Sequence, residues 1–262
     1  MTLKGLTMTR PLIRLATAAG LAVLAVAPSA TAQSFDPAQR DEIGKIVREY
    51  LLAHPEVLQE AMAELEKRQS AAEQTKQKAA VATHAETIFN SPRQVVLGNP
   101  QGDVTVVEFF DYNCGFCKKA MVDMLDLIKN DGKLRFVLKE FPVLGESSVD
   151  AALIATAVRM QDKTGKKYLD FHQKLLTGRG EANKARSLAA AKEAGLDMAR
   201  LDKDMASDEA KASLKEAFGL AEALGLNGTP SYVIGNDLVI GAVGIENLKA
   251  KISNARCGKV IC

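Results

Sequence analysis

The sequence predicts an α/β domain that carries a helical insertion and is preceded by an N-terminal α-helical arm. Three observations predict it. Residues 36–90 hold helix-start and helix-stop signals and no β-rich run. "VTVVEFFDY" (104–112) and "LRFVLKEFPVL" (134–144) are β-rich and bracket one helical stripe, a β-α-β unit. After residues 148–226, which read as helices punctuated by Gly165, Gly178, Gly180 and Gly195, the sheet resumes with "PSYVIG" and "DLVIGAVG".

The chain opens on a basic stretch with Lys4, Arg10 and Arg14. A short apolar run from Leu15 to Ala27 follows, and then the small-x-small signal Ala30-Thr31-Ala32. This pattern predicts an export signal over residues 1–32, cleaved after Ala32, because the apolar run is shorter than the roughly 20 residues a spanning helix needs. The segment holds three of the 34 basic residues and none of the 32 acidic ones, so the remainder is close to neutral. No basic stripe is left to neutralise phosphates, which argues against nucleic-acid binding. An exported chain is expected in the periplasm, where cysteines form disulfides; four cysteines in two local pairs are too few to staple a chain of this size.

In the arm, Asp36 is a side-chain acceptor before Pro37, a good first helical residue, and Ile43, Val47, Tyr50 and Leu51 recur at helical spacing. The helix should break at His54-Pro55, and Val57, Leu58, Ala61, Met62 and Leu65 carry the stripe onward. A polar, Ala-rich segment then reads as a solvated helix or linker to about residue 90. A lone amphipathic helix is marginal in water, so its apolar face should find a partner, either its own domain or a second copy. Homo-oligomerisation through residues 33–90, as a dimer or trimer, is the sharper expectation.

From Pro92 onward, 104–112 reads as a central strand buried on both faces. A helix from about Cys117 to Asn130 presents Met121, Leu125 and Ile128, and Gly132 stops it before the strand at 134. Gly235-Asn236-Asp237 turns the last two strands into a hairpin, and "IENLKAKISNA" closes as a helix.

The chemistry lies in "EFFDYNCGFCKK". A thiolate is the nucleophile of disulfide exchange, and its population follows its pKa. Cys114 falls where the helix begins, against unpaired N–H groups and the positive end of the helix dipole, with Lys118 and Lys119 one turn on. Cys117 lies one turn inward, where it can attack a mixed disulfide formed at Cys114. Glu108 interrupts an apolar strand six positions earlier. It reads as a buried carboxylate able to exchange a proton with Cys117, or as the ion-pair partner of Lys139 in the next strand. Phe116 should be partly exposed and contribute to a hydrophobic substrate surface. In "NGTPSYVIG", a proline at a strand start is a candidate cis peptide.

Together "EFFDYNCGFC", the helical insertion and "GTPSYVIG" resemble the DsbA-like branch of the thioredoxin superfamily over about residues 92–255. The resemblance implies a thioredoxin fold over 91–262, with the insertion at about 148–226. It also implies catalysis by Cys114 as attacking and Cys117 as resolving thiol, proton transfer by Glu108, and substrate-backbone binding by Thr229-Pro230. The arm resembles the stalk of ScsC-type proteins (suppressors of copper sensitivity), which can trimerise. Gly115-Phe116 replaces the Pro-His of the strong oxidases, and Thr229 is similar to the residue before the proline in disulfide isomerases. These features imply a disulfide isomerase or reductase, with a dithiol oxidase as the alternative. The implied partners are secreted cysteine-containing client proteins and a membrane redox partner that resets the pair.

Two other readings stand beside it: Cu(I) capture by the reduced pair, and a non-enzymatic adaptor whose arm assembles other proteins. A four-cysteine zinc site is disfavoured, since the second pair has four intervening residues and lies far along the chain; no resident metal or cofactor is expected. Cys257 and Cys262 should form a structural disulfide pinning the C-terminus, or a more reducible relay. His54, His84 and His172 have no neighbouring ligands in sequence and read as structural or solvated.

Overall fold

The computed structural model describes residues 35–162 and 164–262; the export signal read over 1–32 lies outside them. The chain divides into two compact units, one ending at Ala61 and one spanning Met62–Cys262. No described helix is long and apolar enough to cross a membrane.

In the first unit, α1 (Pro37–Ala53) starts with a capping box: Gln39 N donates to Asp36 Oδ1 at 2.8 Å, and Asp36 N donates to the Gln39 side chain at 3.0 Å. It stops at His54, whose N–H still reaches Tyr50 O, because the following Pro55 disfavours helical geometry at His54. None of its residues is buried. The next helix, α2 (Glu56–Thr83), crosses the unit boundary. Its end belongs to the second unit, where Val81, together with Ile88 of α3 (Ala85–Asn90), is completely buried in a core cluster with the sheet. The second unit thus begins well before residue 91, because the Ala-rich segment read as a linker ends in core positions.

The sheet has the order β1-β3-β2-β4-β5, with β1 (Val95–Gly98), β2 (Val104–Phe110), β3 (Leu134–Glu140), β4 (Ser231–Ile234) and β5 (Asp237–Ile240). Only β2 and β3 are parallel, joined through α4 (Gly115–Asn130). β1 pairs with β3 at one edge; four residues long, it gives too short an alternation to read from sequence. Gly235 takes φ 59° to turn β4 into β5, as only a glycine does without strain.

Alternation along β2 sorts the two cores. Val106 and Phe110 face one layer with Met121, Met124 and Leu127 of α4; Val107 and Phe109 face the other with Leu220, Leu224, Val81 and Ile88. Fully burying each such side chain contributes about 1.5–3 kcal/mol, so both faces of this central strand hold the domain together. Between β3 and β4 lie α5 (Glu146–Gln161), α6 (Lys166–Thr177), α7 (Lys184–Glu193), α8 (Met198–Met205) and α9 (Asp208–Leu224). Asn183, Asp197 and Ser207 cap the last three through their side chains. The final helix, α10 (Ile245–Cys257), covers the α4 side of the sheet with Leu248 and Ile252.

Arg256 pins the C-terminal end of α10 to Asp103 (2.7 Å) and Asp131 (2.9 Å), at the start of β2 and the end of α4. Cys257 and Cys262 are joined there, at the opposite end of β2 from Cys114. Closing so small a loop limits its stabilisation to about 2 kcal/mol. The double variant Cys257→Ser/Cys262→Ser is therefore expected to lose no more than that in urea unfolding and to keep disulfide exchange at Cys114 unchanged.

Candidate active site

The parallel β2–β3 pair delivers the chain to the N-terminus of α4. Phe141 N still bonds Phe110 O at 2.9 Å, after which β2 gives way to a turn in which Cys114 N donates to Asp111 O at 3.1 Å. Cys114 is the N-cap of α4, so the helix begins at Gly115, two residues before the start read from the apolar stripe. Its side chain makes no capping bond, which leaves the sulfur as the group facing the free end of the helix.

Cys114 and Cys117 are both unpaired thiols, 6% and 1% exposed. The Cys114 pKa is lowered to about 5, first by the hydrogen bond from Cys117, then by Thr229 and by the N–H groups of Cys117 and Phe116, against the opposing effect of burial. Cys117 moves far the other way, because its S–H donates a hydrogen bond to the Cys114 sulfur, it is buried and it faces Glu108. The two sulfurs are thus set as thiolate and proton holder.

Thr229-Pro230 is a cis peptide, and the Cys114 sulfur lies 3.2 Å from the Thr229 carbonyl oxygen. Pro230 O accepts from Gly241 N at 2.8 Å, tying the loop to the end of β5. Phe116 projects outward, 68% exposed. Cys114, Cys117, Thr229 and Pro230 therefore come together; Cys257 and Cys262 lie at the other end of the strand.

Glu108 is 3% exposed on the α4 face of β2, between Tyr232 and Leu138 in register. Its pKa is raised to about 8, by burial first and then by the charges of Cys114 and Asp123. The Lys139 pairing fails by strand parity. Lys139 lies on the opposite face, where its ammonium donates to Thr87 O at 2.9 Å and approaches Glu216 at 3.7 Å. His172, within α6, is buried among Phe110, Tyr112 and Tyr168, and burial lowers its pKa to about 3.

Sequence reasoning passed over Asp111, Asp123 and Tyr232. Alternation in "PSYVIG" puts Tyr232 in the sheet, but only the register shows that it flanks Glu108. Asp111, 2% exposed, lies three residues before Cys114 in a turn-rich stretch where a carboxylate reads as ordinary.

A family profile described as the DSBA-like thioredoxin domain matches residues 105–253. The chain belongs to the DSBA-like thioredoxin domain family. The DSBA-like match covers the sheet from β2, the helical insertion and most of α10. A second profile, the copper resistance protein ScsC N-terminal domain, matches residues 39–72. Among solved structures, a thioredoxin-like oxidoreductase from Silicibacter pomeroyi is 44% identical, with TM-score 0.62, covering 65% of this chain and 96% of that one. ScsC from Proteus mirabilis is 27% identical with TM-score 0.62, covering 86% of this chain and 98% of that one. Among curated proteins, the sodium/proton antiporter NhaA 1 of Salinispora arenicola is 27% identical over 63% of this chain. The chain spans about a quarter of that relative's length (25%).

Proposed function

We propose that the protein is a periplasmic thiol:disulfide oxidoreductase that isomerises or reduces disulfides of secreted client proteins through Cys114 and Cys117, assembled as a homo-oligomer by its N-terminal arm. The observation that carries this reading is a Cys114 thiol with a pKa near 5 at a helix N-terminus, beside a cis-proline loop and above a protonated Cys117.

The Cys114 thiolate attacks one sulfur of a client disulfide, forming a mixed disulfide and expelling the other sulfur as a thiolate. In isomerisation, that client thiolate attacks a different client disulfide, the new thiolate displaces Cys114, and no net electrons move. In reduction, Glu108 takes the Cys117 proton, and Cys117 attacks Cys114. The client leaves as a thiol, and the Cys114–Cys117 disulfide is reduced again by a membrane redox partner. The client backbone would align along Thr229-Pro230, and its apolar side chains would meet Phe116, Val143 and Leu144, all exposed.

A pKa near 5 lies between the roughly 7 of thioredoxin and 3.5 of DsbA, so the Cys114–Cys117 disulfide should be less oxidising than in the strong oxidases. Gly115-Phe116 between the cysteines, Thr229 before the proline and the arm favour isomerase or reductase. The stabilised thiolate also supports a second reading, a dithiol oxidase, in which the same steps run in reverse.

The test is refolding of a scrambled multi-disulfide protein. It compares the chain lacking 1–32 with a shortened chain starting at Met62, which keeps the buried Val81 and Ile88. Restoration of native pairing by the longer chain alone is the expected result. Oxidation of reduced substrate by both, with no reshuffling, would favour the oxidase.

A further inference from the structure

We propose that Asp111 and Asn113 are positioning residues that clip the apolar loop 142–145 to the CGFC turn and so set affinity for client chains. The proposal rests on the reading of this site as a disulfide-exchange centre for proteins.

Both carboxylate oxygens of Asp111 are engaged, each by two donors. Oδ1 accepts from Asn113 N (2.7 Å) and Ser148 Oγ (2.8 Å); Oδ2 accepts from Val143 N (2.8 Å) and Leu144 N (3.0 Å). Four N–H and O–H donors thus hold a buried carboxylate and saturate its lone pairs. Burying a carboxylate is costly, and uncharged groups would hold a loop at lower cost. What the carboxylate adds is directed, charge-assisted bonding to two successive backbone N–H groups. The same residue holds Cys114 through its carbonyl, at 3.1 Å. One residue therefore fixes the nucleophile's turn on one side and the Val143-Leu144 backbone on the other.

Asn113 extends the clip. Its Nδ2 donates to Ser147 Oγ (3.2 Å) and Ser148 Oγ (3.0 Å) at the start of α5, and its Oδ1 accepts from Ala182 N (2.7 Å) in the loop before α7. Ser147 Oγ in turn donates to Glu181 at 2.6 Å. The first turn of α5 and the loop before α7 are thereby tied to the residue adjoining Cys114. The side chains held at the rim are apolar and open: Leu144 is 52% exposed although its N–H is bonded. An apolar side chain whose backbone is pinned and whose surface is left to water is preorganised for contact with an incoming chain.

The experiment measures turnover of a disulfide-bonded peptide and of oxidised glutathione, with dithiothreitol resetting the pair, using the chain lacking 1–32. Asp111→Asn is expected to raise KM for the peptide about tenfold with a much smaller fall in kcat, and to slow glutathione reduction far less than that, because asparagine keeps the main-chain carbonyl that accepts from Cys114 N. Val143→Ser/Leu144→Ser should raise the peptide KM by a similar factor, and the combined variant should raise it no further, because both changes act on one loop. Ser148→Ala, which removes one donor and keeps the carboxylate, should give about a threefold rise and carries the test if Asp111→Asn does not fold. A parallel loss with both substrates, multiplying effects in the combined variant, or an unchanged peptide KM would overturn the proposal. No peptide turnover by the unaltered chain, with glutathione still reduced, would overturn the client reading itself and the clip with it.

Discussion

Glu108→Gln is expected to slow release of a client from the Cys114 mixed disulfide about a hundredfold, the usual worth of a positioned proton acceptor. Cys117 is buried and holds its proton tightly, so the second attack waits on a base. Glu108, raised to about 8, is neutral at lower pH and accepts a proton only in its ionised fraction. The resolution rate should therefore rise about tenfold per pH unit and level off once Glu108 is ionised. In the glutamine variant the plateau disappears: the proton leaves to hydroxide instead, and the slower rate keeps rising with pH through that range. Rapid-quench trapping of the mixed disulfide across pH reads both; an unchanged profile would remove Glu108 from proton transfer. Stability should move oppositely. Folding raises the Glu108 pKa from 4.5 to about 8, so in that window the folded state keeps a proton the unfolded state has lost. Stability then falls as pH rises, by about 5 kcal/mol in total at ~1.4 kcal/mol per unit. The variant lacks this slope, so its unfolding temperature should gain on the unaltered protein as pH rises through that window. Cys114, lowered from 9.0 to about 5, contributes the reverse slope in the reduced form. That contribution is full above 9.0 and lost as pH falls through the folded value. Both proteins carry it, so the difference between them reads Glu108 together with its coupling to the Cys114 charge.

What the sequence made legible was whatever a local pattern encodes. The β-α-β unit, the glycine-punctuated helices and the hairpin at Gly235 follow from period, breakers and turn residues, and they appear at those positions. The apolar stripe places the start of α4 two residues late, because it reports which residues are buried, whereas Gly115 and Phe116 are exposed first-turn residues. β1 has four residues and half an alternation. The end of α2 reads as a solvated helix or linker; it is helix, and burial of the single Val81 within a polar, Ala-rich stretch is visible only in the tertiary fold.

The site divides along the same line. Cys114, Cys117 and the cis-proline loop are marked by residue type and spacing, and the fold brings them within bonding distance. Glu108 was conspicuous as a charge in an apolar strand, but its partner was a question of parity. The register pairs it with Leu138 and turns Lys139 to the opposite layer, so the Lys139 ammonium does not hold its proton off. Asp111 was illegible for a different reason. Its role depends on four donors up to 37 residues away in sequence, contacts that no local pattern records.

On the proposed assembly of the chain through its arm, a charge there, Val47→Asp, is expected to separate the subunits and abolish the proposed isomerisation while leaving simple dithiol oxidation intact. Ile43, Ile46, Val47, Tyr50, Leu58, Met62 and Leu65 recur at helical spacing and are all exposed, and α1 buries none of its residues. An amphipathic helix draws most of its stability in a protein from what covers its apolar face. A carboxylate in the middle of that face would have to be buried unpaired on assembly, a desolvation cost that one helical seam cannot offset. Val47 is no part of the Met62–Cys262 unit that holds Cys114. The consequence for activity follows from tethering. In the proposed assembly, a second Cys114 would meet a client mixed disulfide at about millimolar effective concentration rather than at the protein's own micromolar level, a gain on the order of a hundredfold or more. Reshuffling, which needs repeated encounters with one client, should lose that factor; oxidation of a single dithiol, which needs one encounter, should not. Sedimentation velocity and scrambled-substrate refolding on the same variant test the link. A monomeric variant that still reshuffles at the original rate would show that isomerisation resides in the thioredoxin domain alone.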